Sequence, residues 1–299
     1  VAFNSQEDNL LDNIDKSILK KVDSVSISSN KIDIDCAVLV GKCQHTKKPY
    51  LMKYGLRDFR GSGRASARET LARVAAGAIA KKFLKQELGI EIISFVEQVG
   101  PIKAYLNHSL VEMHQVESNI IRCPDEEVAK EMIKLVEEVR DDGDSIGGVI
   151  KCVIRHAPVG LGEPVFDRLH ADLGKAMLSI NAVKGFEIGS GFAGVELRGS
   201  VHNDPFVLEN GDLRTKTNYA GGVLGGISSG EDIYFRVAFK SVSTISKKQT
   251  TLNVNYEEVE LEAQGRHDPC VLPRAVPVVD AMAALVIMDH YLRHKSYQH

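Results

Sequence analysis

The stretch SARETLARVAAGAIAKKFLKQELG (residues 66–89) runs directly into IEIISFVEQV (90–99), and this pair decides the class of fold. In the first segment Leu71, Val74, Ala75, Ala78, Ile79 and Phe83 follow the helical period. Ser66 and Glu69 stand at capping-box spacing, and Gly89 is a natural stop. The second segment reads as a strand. Working outward, a helix is expected from Pro124 to about Arg140, with acids in its first turn, where the helix dipole favours them. Another covers about 166–180, with Leu169, Leu173, Ala176, Met177 and Ile180 on one face. A last helix, 276–293, carries the nearly continuous apolar run AMAALVIM and is expected in the core. Further strands are expected at 147–157, 185–199 and 232–240, with one more around 251–262. Helices do not alternate strictly with strands, so the expected class is α+β, with antiparallel sheets packed on helices.

The bulk properties exclude several function classes. A formal net charge of −3 gives no global reason to expect a nucleic-acid partner, so any anion site must come from local clusters of Arg and Lys. No apolar run is expected to span a bilayer, and the acidic start VAFNSQEDNLLDNID lacks the plan of a signal peptide. Cys36, Cys43, Cys123, Cys152 and Cys270 are scattered and form no CxxC, which argues against a disulfide framework or a zinc site and for a reducing cytoplasm. No metal site is expected. The composition shifts near 45–50, from a polar stretch holding one strand-like run, IDIDCAVLV (32–40), to glycine-punctuated elements.

Four clusters carry candidate chemistry. In GSGRASARE (61–69) a glycine-rich turn enters a helix, so free backbone N–H groups, the helix dipole, Arg64 and Arg68 together suit a phosphate or carboxylate. A flexible turn with two solvated arginines fits the same residues, and neither a Walker loop nor GxGxxG is present. AGGVLGGISSG (220–230) has five glycines in eleven residues; it is either a platform that a flat ligand approaches or a tight sheet corner. GRHDPC (265–270) sets Arg266, His267 and Asp268 in a row before Pro269, either as an anion grip beside a base or as a surface ion pair, with Arg274 close behind. GSVHNDPF (199–206) reads as a turn bonded through Asn203 and Asp204 or as a polar site with His202. His114, His170, His290 and His294 have no partner at metal-ligand spacing and are expected to be structural or exposed.

Together these segments resemble the chorismate synthase family. The matching pieces are KYGLRDFRGSGRASARETLARVAAGAIAKK (53–82), GDSIGGV (143–149), GLGEPVFDRL (160–169) and SINAVKGFEIGSGFAG (179–194). They continue with LRGSVHNDPF, NYAGGVLGGISSG, RVAFK and GRHDPCVLPRAVPVVDAMAALV (265–286), in order and spacing. The resemblance covers residues 45–299, with 1–44 a divergent segment. It implies a βαβ sandwich of antiparallel sheets around helices, a homotetramer, and a cytoplasmic or, in a eukaryote, plastid setting. It implies a lyase of the shikimate pathway that forms chorismate from 5-enolpyruvylshikimate 3-phosphate by 1,4-elimination of phosphate. The family requires reduced FMN, and some members reduce it with NADPH.

By motif position the resemblance assigns FMN contacts to Arg64, Ala65, Ser66, Asn181, Ala182, Gly225, Lys240, Ser241, Val242, Ser243, Thr244 and Arg266. It assigns substrate contacts to Arg68 and Arg274, and proton transfer with the flavin to Asp268. His45 stands eight residues before Lys53, as does a family histidine that protonates the flavin, and is carried over with it. The family's FGESHG and RRRPG segments are not found in this sequence, Val201 replaces a glutamate and Asp280 another. The alternative reading is therefore a truncated or degenerate homologue that binds flavin or phosphate, or joins a homologous oligomer, without catalysis.

Overall fold

A computed structural model describes residues 52–55, 66–209, 211–252, 257–262 and 267–297. The expected boundary at 44/45 lies outside them. The chain divides into two compact units, Val1–Gly63 and Arg64–His299. In the first, residues 52–54 make a single helical turn. The second unit contains the elements that follow.

Its centre is a five-stranded antiparallel sheet in the order β2-β1-β3-β9-β4. The strands are β1 (Glu91–Val99), β2 (Ile102–Lys103), β3 (Gly148–Arg155), β4 (Val183–Ile188) and β9 (Ile233–Phe239). Among the described residues three small hairpins complete the strands: β5 (Phe206–Glu209) with β6 (Asp212–Thr215), β7 (Val223–Leu224) with β8 (Ile227–Ser228), and β10 (Gln249–Leu252) with β11 (Glu258–Leu261). The long helices are α1 (Thr70–Leu88), α2 (Glu126–Asp141), α3 (Leu169–Leu178) and α4 (Leu272–Tyr297).

Strand period assigns the two faces of the sheet. Ile92, Val96, Ile150, Cys152, Ile154, Ile233, Phe235, Val237 and Phe239 point into the main core, which α1, α3 and α4 cover. Ile93, Phe95 and Val153 point the other way, under Val111 and Val116. On that second face Arg236 Nε holds Glu97 at 2.6 Å and also pairs with Glu187, while Lys151 reaches Glu97 at 3.5 Å. The expected strands 90–99, 147–157 and 232–240 are present. The one expected at 185–199 begins at Val183 and stops at Ile188, because Gly189 and Gly191 take positive φ and the chain turns into a 3₁₀ segment, Gly191–Glu196.

Helix α3, shorter at both ends than expected, buries Leu169, Leu173, Ala176 and Met177, and Ile180 is buried just past its end; α4 is the core helix, with Val279, Ala283, Ala284 and Ile287 fully buried. By length and composition alone α4 could cross a membrane, contrary to the expectation that no apolar run is long enough. Helix α1 corrects the reading in another respect. Its buried residues are Gly77, Ala80 and Leu84, while Leu71 and Ile79 are exposed. The reason is how close α4 lies. A Cβ built at Gly77 would lie 2.5 Å from Ala281 Cα and 2.8 Å from its carbonyl oxygen, so only glycine fits the crossing. Ser66 caps the helix entry by accepting from Arg68 N–H at 3.3 Å, but Glu69 turns to Arg73 instead of closing the capping box.

Candidate functional site

Antiparallel register brings several loop segments to one end of the sheet. Gly148, at the start of β3, and Val183, at the start of β4, both pair with Phe239, the last residue of β9. The segments 142–147, 179–182 and 240–246 therefore emerge side by side. Lys240 N–H donates to the Ala182 carbonyl at 3.0 Å, which locks two of them together. Ala182 holds φ +69°, a left-handed conformation that a residue with a Cβ adopts at a cost of roughly 1–2 kcal/mol. Ser145 Oγ donates to the Val242 carbonyl at 2.6 Å, and Ser246 N–H to that of Gly143 at 3.0 Å. A side chain at Gly147 would meet Ser241 N at 2.9 Å, so the GDSIGG loop packs directly on the backbone after Lys240.

Two further segments join this end. Ile146 N–H donates to the Pro269 carbonyl at 2.8 Å, which fixes the turn holding Asp268. Arg274 Nη1, in the first turn of α4, donates to Asp268 Oδ2 at 2.6 Å. Arg73 of α1 donates to Ser179 Oγ at 2.7 Å, two residues before Asn181, so the amino end of α1, with Ser66 and Arg68, lies at the same end. Lys240 Nζ donates to Ser243 Oγ at 2.5 Å and to the Ser241 carbonyl at 3.0 Å.

The donor set is an ammonium, guanidinium groups, hydroxyls and the N–H groups of a helix start. That chemistry suits a phosphate monoester and carboxylates. It fits the phosphate of a flavin mononucleotide. Of the carboxylates at this end, Asp142 and Asp144 are engaged by Lys247, Glu69 by Arg73 and Asp268 by Arg274. Cys270, two residues from Asp268, is buried, and burial pushes its thiol up to about 11, so it is not a thiolate at neutral pH.

Of the residues read from sequence, Ser66, Arg68, Asn181, Ala182, Lys240, Ser241, Val242, Ser243, Thr244, Asp268 and Arg274 meet at this end. His45, Arg64, Ala65 and Arg266 lie outside the described residues. Gly225 is placed elsewhere. It sits in the β7–β8 turn, and the Gly226 carbonyl accepts from Leu169 N–H at 2.8 Å, at the amino end of α3. The ten residues of α3 span about 15 Å and the seven of β9 more than 20 Å, both running between that place and Lys240. Within the chain this segment forms a sheet corner away from Lys240, and the flavin contact assigned to Gly225 rests on its motif position.

The GSVHND segment lies near the same far end. Asp204 accepts from Thr217 Oγ1, Tyr219 N–H and Ala220 N–H at 2.7–2.9 Å. Burial opposes its ionisation, but those bonds together hold its carboxyl below the ordinary value. It fixes a turn, and His202 Nε2 meets Ser190 Oγ at 2.7 Å beside it. Sequence reading gave no role to Arg73, Arg122 or Ser145. The signals were there in part: GDSIGGV was recognised as a motif, and Pro277 stands inside a helical pattern.

A family model described as chorismate synthase matches residues 20–292. The chorismate synthase of Cytophaga hutchinsonii is 60% identical over 253 residues, which are 84% of this chain and 70% of that protein. That of Gloeothece citriformis is 56% identical over 263 residues, 88% of this chain and 73% of that protein. A solved structure described as a crystal structure of chorismate synthase superposes with a TM-score of 0.66 at 32% identity, covering 81% of this chain and 69% of that one.

Proposed function

Because the chain belongs to the chorismate synthase family, lyases of the shikimate pathway with a flavin requirement and a small anionic substrate, we propose that this end of the sheet is its catalytic site. The reaction is the 1,4-elimination of phosphate from 5-enolpyruvylshikimate 3-phosphate to give chorismate. The cofactor is reduced FMN, which supplies electron density to the substrate transiently when bound, with NADPH as a reductant for it. The observation that carries the assignment is convergence. Segments distant in sequence, 66–68, 181–182, 240–244 and 268–274, are tied together by the hydrogen bonds at Ala182, Ser179 and Pro269.

In this proposal Ser66, Asn181, Ala182 and Lys240 to Thr244 hold the flavin phosphate and backbone-facing edge. Arg68 and Arg274 hold the substrate's anionic groups, and Asp268 accepts the proton lost from carbon. Arg274 already sits on Asp268, so substrate entry exchanges one anionic partner of the guanidinium for another. Arg64, Ala65, Arg266 and His45 join the proposal through their motif positions alone. The assembly is a homotetramer, in a cytoplasmic or plastid setting.

The test is an anaerobic assay of this chain with pre-reduced FMN and 5-enolpyruvylshikimate 3-phosphate, with chorismate followed by absorbance. Asp268→Asn should lower kcat on the order of 10²–10⁴-fold while FMN still binds. Full activity in that variant would remove Asp268 from the reaction. FMN binding by the wild type without turnover would favour a degenerate homologue.

A further inference from the structure

Pro277 stands inside α4. Proline has no N–H, so the carbonyl four residues earlier, that of Pro273, loses its intrahelical donor. That carbonyl is nevertheless bonded. Arg122 Nη1 donates to it at 2.6 Å from a different part of the chain. The arginine is itself held from both sides. Its Nε and Nη2 reach the two carboxylate oxygens of Glu117, each at 3.2 Å. Its carbonyl accepts from Val96 N–H at 2.9 Å, and its N–H donates to the Asn119 carbonyl at 3.2 Å. Its φ is +62°, a left-handed conformation in which a bulky residue persists only where its surroundings hold it.

The residue after Pro273 is Arg274, whose guanidinium grips Asp268 at 2.6 Å. Arg122, Pro273 and Arg274 also line one open cleft of about 500 Å³, so the clasp and the partner of Asp268 border the same space. We propose that Arg122 is a positioning residue for Asp268: it replaces the helical hydrogen bond that Pro277 removes and so fixes the turn that sets Arg274 against the aspartate. The proposal rests on the reading of Asp268 given above. Among the described residues Arg122 makes no hydrogen bond to Asp268 or Arg274; it acts through the backbone of Pro273.

The experiment compares wild type, Arg122→Ala, Pro277→Ala and the double variant in the anaerobic assay, using substrate with hydrogen or deuterium at the carbon that loses its proton. A displaced base slows proton removal without changing how the substrate's anionic groups are held. Arg122→Ala should therefore lower kcat on the order of 10–100-fold with KM within about twofold, and raise the deuterium effect on kcat. Pro277→Ala restores an N–H opposite the Pro273 carbonyl, so the double variant should recover most of kcat and the wild-type isotope effect. A clasp that merely stabilised the fold would change melting temperature and leave the isotope effect alone, and that result overturns the proposal. So does an Arg122→Ala loss that Pro277→Ala does not repair. If Arg122→Ala does not fold, Arg122→Gln is judged by the same criteria. Wild-type inactivity under these conditions removes the functional reading and this proposal with it, whereas an active wild type with an indifferent Arg122→Ala removes only the proposal.

Discussion

Gly77→Ala sets two effects of known sign against each other. Inside an α-helix the change from glycine to alanine favours folding by about 1 kcal/mol, through chain entropy. At Gly77 the new methyl would lie 2.5 Å from Ala281 Cα and 2.8 Å from the Ala281 carbonyl oxygen, and closer still to its Cβ. Carbon atoms in contact rest about 3.5–4.0 Å apart, so α1 and α4 must separate by roughly 1 Å at their crossing. The obstructing atoms include backbone, which no rotamer change removes. Overpacking of this kind costs about 1–3 kcal/mol, and separation also disturbs the Lys81–Asp280 pair beside it. Because backbone atoms stand in the way, the cost lies in the upper part of that range, about 2–3 kcal/mol, so packing wins by about 1–2 kcal/mol, or roughly 2–8 °C in melting temperature for a domain of this size. Thermal melts and urea midpoints measure it. Ala281→Gly in the same chain should recover part of the loss and not all, since it removes the Cβ but leaves the Cα and carbonyl. A Gly77→Ala protein as stable as wild type would mean that the helices do not cross this closely, and the account of the α1 buried face would fail with it.

Two pH-linked predictions follow from buried charge. Burial first, and then the charges of Lys151 and Arg155, lower His108 from 6.5 to about 4, with its ring 4.2 Å from that of Tyr234. The native state thus binds fewer protons than the unfolded chain between those values, so this group's contribution is present above pH 6.5 and is lost as pH falls towards 4. His108→Phe keeps the ring contact and should flatten the urea midpoint against pH across that window; an unchanged slope contradicts it. Burial raises the Asp280 carboxyl above its ordinary value, against the pull of Lys81. Here the sign reverses: the native state holds the proton to higher pH, so the contribution is present below the unfolded value and declines as pH rises through the folded one. Asp280→Asn should gain on wild type as pH rises. Lys81→Met, which strips Asp280 of its cation, should cost about 3 kcal/mol, at the lower end of the range for breaking buried pairs because Lys81 is partly in water. Equal midpoints for Lys81→Met and wild type would refute the pairing argument.

Strands β1, β3 and β9 were legible because alternation and β-branched density persist over whole segments. Helices α3 and α4 were legible from their apolar pattern, and α2 also from its cap, Asp125, which accepts from Glu127 and Val128 N–H. Helix α1 was legible in extent and not in orientation. A hydropathy reading ranks Leu71 and Ile79 as core and passes over Gly77, but the crossing with α4 selects for the smallest residue. Orientation there is a property of the partner surface, which no local window contains. The strand expected at 185–199 failed for a local reason instead: two glycines at positive φ end it after Ile188.

The site was legible as a set of motifs but not as a place. Nothing in AGGVLGG or in SINAVKG states which end of a strand it will occupy; antiparallel register decides that, through pairings such as Val183 with Phe239 that link residues 56 positions apart (239 − 183). Hence Ala182 and Lys240 meet while Gly225 goes to the other end of α3. The Arg122 clasp shows what a sequence can still betray. A proline within a buried helix breaks a local rule, and its cost is a specific carbonyl, that of Pro273, left to find a donor. The donor found is an arginine in a conformation that itself breaks a local rule. Both violations meet one residue from Arg274, although an alanine at 277 would restore the helical bond without an outside donor. That the chain holds both beside the proposed proton acceptor is the physical reason to look for their effect in the isotope effect and not only in stability.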